Sequence, residues 1–145
     1  MTARDNLEHS IDAWIEENKN TLAEEICELI RIRSVADKDD KIKPFGQGCR
    51  DVLEKFTEIC ERHGLETQNH AYYVAEAYDP AQKEKKDRIG LMGHLDVVPA
   101  GGGWASPPFE PRVENGYIIG RGSGDNKGPA VAALYALRCL KELGA

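Results

Sequence analysis

No stretch of the chain approaches the roughly eighteen consecutive apolar residues of a membrane-crossing helix, and the opening MTARDNLEHSIDAW lacks the unbroken apolar segment of a secretory leader. The expectations are no membrane partner and residence in the cytoplasm. Basic residues are scarce too: 19 Lys and Arg face 25 Asp and Glu, a formal net charge of -6 over 145 residues. A chain of that sign repels phosphate backbones, so no nucleic-acid partner is expected. The one basic cluster, Lys83 to Arg88, reads as a solvated hairpin tip. Cysteine is spread too thinly for a thiolate metal centre. Cys27, Cys49, Cys60 and Cys139 show no paired ligand spacing, and three of them fall on apolar helix positions, so they read as reduced packing residues. Cys60 and His63 face one way on a helix, but with no second half to the pair they read as structural.

What is present is one domain's worth of chain, 41% apolar, large enough for a real core. Leu7, Ile11, Trp14, Ile15, Leu22, Ile26, Leu29 and Ile30 recur at three- and four-residue intervals and predict an amphipathic helix with a break near Asn18 to Thr21. The pairs Glu16-Glu17 and Glu24-Glu25 read as its solvated face. Ile32 to Gly48 reads as a polar, mobile connection, and a second helix spans about Cys49 to His63, ending at Gly64. Leu65 to Asn69 begins a sheet, Ala71 to Tyr78 is a strand, and Asp79-Pro80 opens a charged turn through Asp87. A last helix, Pro129 to Leu143, carries Val131, Leu134, Tyr135, Leu137 and Cys139 and stops at Gly144. Helices and strands in this order give an α/β fold with a central mixed sheet flanked by helices.

Chemistry concentrates in Arg88 to Gly128. The run RIGLMGHLDVV alternates like a strand, so His94 and Asp96 share a face with Leu95 opposite, and a carboxylate beside an imidazole can hold the ring nitrogen that a metal leaves free. Tyr117 to Ile119 is a short strand running into GRGSGDNKG, so Asp125 sits in a strand-to-helix loop. Four glycines in nine residues let the backbone there approach a ligand closely. A phosphate-binding loop is the competing reading, and it fails letter by letter: the sixth position from Gly120 is Asp125, the sixth from Gly122 is Lys127, and Lys127 is followed by Gly128-Pro129 where Ser or Thr is needed. Trp104, Pro107, Pro108, Phe109 and Pro111 form a stiff segment that reads equally as a cleft wall or as plain packing.

The segments GHLDVVPAGGGW, PPFEP and GRGSGDNKGP, in this order, resemble the di-zinc metallopeptidase and deacylase family of aminoacylases, carnosinases and bacterial dipeptidases, the dipeptidase branch fitting best. The resemblance implies that His94 ligates one zinc, that Asp125 bridges two, that Asp96 is a catalytic residue orienting the histidine, and that Asp125-Asn126 is a cis peptide. It implies two zinc ions, with cobalt or manganese as substitutes, and a dipeptide or small amide as substrate. Residues 1-145 then form the front of the catalytic domain. The paired glutamates, the other ligands and a lid or dimerisation domain are expected past Ala145. The activity implied is hydrolysis of dipeptides by a zinc hydrolase, with the chain alone expected to be inactive. The alternatives are a deacylase of N-acyl amino acids, or a non-catalytic remnant acting as a folding or self-association module. Surfaces left open by truncation predict a homo-oligomer.

Overall fold

A computed structural model describes residues 3–87 and 89–144; Arg88, which opens the expected site strand, lies outside them. Three helices make the frame: α1 (Ala3–Ile30), α2 (Gln47–Arg62) and α3 (Lys127–Leu143). Two antiparallel hairpins accompany them, β1 (Glu66–His70) with β2 (Val74–Tyr78), and β3 (Arg112–Glu114) with β4 (Tyr117–Ile119). No helix among the described residues is long and apolar enough to cross a membrane.

α1 is continuous where a break was expected. Residues 18–21 contain neither Gly nor Pro, and Asn18 turns its side-chain amide back onto the Trp14 carbonyl at 2.8 Å, inside its own helix. Its second half is the centre of the molecule, with Ile26, Cys27, Leu29 and Ile30 buried. Leu7 and Ile15, read from periodicity as part of the apolar face, stand 41% and 49% exposed, because nothing among the described residues covers them. α3 lies along α1 through Val131, Leu134, Tyr135 and Cys139, a spacing that keeps one helical stripe inward, and α2 closes the other side with Val52, Ile59 and Cys60.

Glu25 corrects the expectation of a solvated Glu24-Glu25 pair: Glu24 is exposed, but Glu25 is buried. Its carboxylate lies 2.9 Å from His63 Nε2 and accepts the Tyr135 hydroxyl at 2.9 Å, so a buried charge is met by hydrogen bonds from α3 and from the residue that caps α2. Cys60 and His63 thus do separate structural work, the thiol in the core and the imidazole on Glu25. α2 and α3 end as expected, with Gly64 and Gly144 at φ 72° and 69°.

The α/β class holds, but among the described residues the sheet consists of two separate hairpins. The run expected as a central strand is extended and makes no ladder. Its one bridge is a parallel pairing of Val97 with Val35. A strand satisfies its backbone only through neighbours, and among the described residues only 34–35 run beside it. Alternation survives locally: Leu95 and Val97 point inward while His94 and Asp96 point out. Further back, Ile89 is 94% and Met92 100% exposed. The segment 83–87 is exposed, as expected, but it follows a 3-10 turn, Pro80–Gln82, and no hairpin is built on it.

Candidate active site

His94 and Asp125, thirty-one residues apart in sequence, meet at the lining of a cavity of about 290 Å³, with His94 Nε2 3.0 Å from Asp125 Oδ1. The other ring nitrogen, Nδ1, lies 3.1 Å from the Asp96 main-chain carbonyl and 3.3 Å from its carboxylate. The sequence expectation was a carboxylate partner, but the carbonyl is nearer. Burial is the largest influence on His94 and lowers its pKa. The bond to the Asp96 carbonyl, the bond to Asp125 and the charges of both aspartates outweigh it, and the imidazole is held above its ordinary value.

The two arms meet because of close packing, not at the edge of a sheet. The Asp125-Asn126 peptide is cis, and the Asn126 side-chain oxygen accepts the His94 N–H at 3.3 Å. Gly93 makes room for it, since a Cβ there would stand 2.7 Å from that oxygen. Most glycines of the Asp125 loop face protein groups and not a ligand. A Cβ on Gly128 would stand 2.0 Å from the Ser123 carbonyl, and Gly122 has φ +94° with Val97 and the Lys127 stem against it. Gly124 alone of the four has open space beside it.

Trp104 lines the cavity, which favours the cleft-wall reading of its segment. Its indole N–H and an Arg121 N–H both donate to the Ala100 carbonyl, at 2.9 and 2.8 Å, and the guanidinium lies over the indole.

Three further residues organise the site through contacts that the sequence reading did not foresee. Ser34 donates to the Leu95 carbonyl at 2.7 Å and accepts the Val97 N–H at 2.9 Å. Asn126 ties the loop to His94. Lys127 is fully buried, and burial lowers its pKa to about 8. The tertiary structure puts the end of α1 above it.

An imidazole nitrogen and a carboxylate oxygen, with the second imidazole nitrogen already engaged, form a donor set suited to zinc. Among the described residues no third His, Cys, Asp or Glu joins them in a metal-holding group.

This geometry lies inside a segment with known relatives. Residues 90–145 match the model of peptidase family M20/M25/M40. The chain is 39% identical, over 132 residues, to the Beta-Ala-Xaa dipeptidase of Lactobacillus delbrueckii subsp. lactis. That match covers 89% of this chain and 27% of the relative, so the chain spans about a quarter of the length of such curated relatives. Its fold is similar to that in the crystal structure of human carnosine dipeptidase 1, with a TM-score of 0.66 at 22% identity, covering 95% of this chain and 31% of that one. All three segments that carry the resemblance lie within the matched residues.

Proposed function

We propose that this chain supplies part of the catalytic domain of a zinc-dependent dipeptidase, with His94 and Asp125 as metal ligands and Asp96 orienting His94. The observation that carries the reading is the 3.0 Å approach of His94 Nε2 to Asp125 Oδ1 while Nδ1 is turned to Asp96. When bound, zinc would polarise a scissile carbonyl and lower the pKa of an attacking water. The chain's own part is to fix the imidazole's tautomer and rotation through Asp96, and to hold the exposed Asp125 carboxylate beside it, where both side chains could ligate zinc. Trp104 and the Arg121 clamp wall the cavity against solvent on one side. Dipeptides are favoured over N-acyl amino acids because the Lactobacillus relative is named for cleaving them.

Two ligands are fewer than the three that a catalytic zinc ordinarily takes from protein, and among the described residues none is placed as general base. The chain alone is expected to bind zinc weakly, with both His94→Ala and Asp125→Asn reducing what binding there is, and to hydrolyse neither dipeptides nor N-acyl amino acids. The exposed run at Ile89–Met92 is expected to drive association beyond the monomer. Equilibrium dialysis with zinc, sedimentation and a dipeptide assay on one sample test this. Zinc binding indifferent to both substitutions would overturn the site, and a zinc-loaded, active monomer would overturn the incomplete-site reading.

A further inference from the structure

Both arms of the site are fastened to one short stretch, the end of α1 and the turn that follows it. On the His94 side the fastening is Ser34, which grips Leu95 and Val97 on either side of Asp96. On the Asp125 side it is Lys127. This side chain is fully buried and sends Nζ to the carbonyls of Leu29 and Ile32, each at 2.8 Å. Leu29 lies in the last turn of α1, where helix carbonyls lack the usual partner four residues on, so the lysine caps that end while tying it to the loop.

The loop is wrapped on this anchor. The Lys127 N–H donates to the Gly122 carbonyl at 3.0 Å, closing residues 122–127 into a turn. Gly122 has no side chain where the Lys127 stem passes: a Cβ there would stand 3.0 Å from Lys127 Cδ. Asp125 itself is 87% exposed, and its contact within the site is His94. With so little packing on its side chain, the position of its carboxylate follows from where the backbone of the loop is held.

We infer that Lys127 is a positioning residue for Asp125: by pinning the loop to the end of α1, which Ser34 also ties to the His94 run, it sets the separation of the two proposed ligands. This rests on the metal reading above, and the test separates the two. Cobalt(II) is titrated into the chain while NMR follows paramagnetic broadening of the amides of residues 120–128, a readout that needs no turnover and tolerates weak binding. Lys127→Met keeps the stem and removes both hydrogen bonds, and it is expected to weaken apparent cobalt affinity roughly ten- to a hundredfold, as the loss of a partner supporting a metal ligand does.

Leu134→Ala, a core truncation remote from the loop, controls for lost stability and is expected to leave the affinity unchanged. Equal weakening in Leu134→Ala and Lys127→Met would reduce Lys127 to general stability and overturn the inference. If His94→Ala lowers cobalt affinity while Lys127→Met binds like the parent chain, the inference is overturned and the metal reading stands. If His94→Ala has no effect, the metal reading falls and takes the inference with it. Should Lys127→Met not fold, Lys127→Gln is read the same way. If neither folds, Lys127 supports the whole domain and not the loop, and the inference is overturned.

Discussion

Ile30 and Leu91 are aliphatic residues in apolar surroundings of the sequence, yet Ile30 is fully buried at the centre of three helices while Leu91 stands 67% exposed, next to Met92 at 100%. The helical platform and the extended run obey the same hydrophobic rule with opposite outcomes. A helix satisfies its backbone internally, so an apolar stripe needs only a facing surface, and α1, α2 and α3 provide that for one another. An extended segment must borrow its hydrogen bonds from a neighbour, and among the described residues the neighbour here is residues 34–35 alone. Apolar character thus decides burial only where the same chain also supplies the partner.

The largest effect expected from this contrast is in stability. Ile30→Ala should cost about 2 to 5 kcal/mol, as large-to-small changes in a closed core do. Leu91→Ala should change stability by no more than about 0.5 kcal/mol, as at other exposed positions. Urea unfolding of both variants checks it, and equal losses would mean that the run is packed in solution and the contrast is false.

A smaller effect sharpens the platform side of the comparison through pH. Burial is the main cause that pushes the Cys60 thiol from 9.0 up to about 12, with the charges of Glu25 and Glu61 adding to it. The folded chain therefore holds this proton more tightly than the unfolded chain. The resulting stability is complete below about pH 9 and is lost as pH rises from 9 towards 12. It amounts to a few kcal/mol at most, at about 1.4 kcal/mol per pKa unit. Cys60→Ala lowers stability at neutral pH through its cavity, but it should flatten the decline between pH 9 and 12. Denaturant unfolding at a series of pH values reads that slope, and an unchanged slope would show that the thiol is not the titrating group.

The same contrast explains what could be read from residues alone. Helix ends were legible because their signals are local: Gly64 and Gly144 follow the last apolar residue and take the left-handed conformation. Glu25 was misread because its partners, His63 and Tyr135, lie 38 and 110 residues away, and a glutamate beside a glutamate looks solvated until those residues are placed over it. The central strand was misread for the same reason in reverse, since alternation describes a strand's faces but not whether anything pairs with its edges. In the site, the motifs named the two residues that the structure brings to 3.0 Å. The parts that hold them there, Ser34, Asn126 and Lys127, act through contacts made across the fold, which no spacing rule encodes.

The smallest expected effect concerns Asp96, at the boundary between the two regions, on the extended run but held by Ser34 from the platform. Its carboxylate lies 3.3 Å from His94 Nδ1, while its own main-chain carbonyl, at 3.1 Å, is the nearer acceptor. Asp96→Ala removes the first and leaves the second, so the ring keeps a partner and its tautomer. Metal affinity should therefore fall by about tenfold, the low end of what such supporting residues contribute. Folding should be untouched, because the side chain is 57% exposed and packs on nothing that the core needs. Asp96→Asn should fall less than Asp96→Ala, since the amide oxygen still accepts while the charge is gone. Cobalt titration of both variants, beside their unfolding curves, reads the two quantities separately. A hundredfold or greater loss in Asp96→Ala would show that the carboxylate, not the carbonyl, orients His94, and an affinity equal to the parent chain's would remove the Asp96 carboxylate from the site and leave the carbonyl alone to orient the ring.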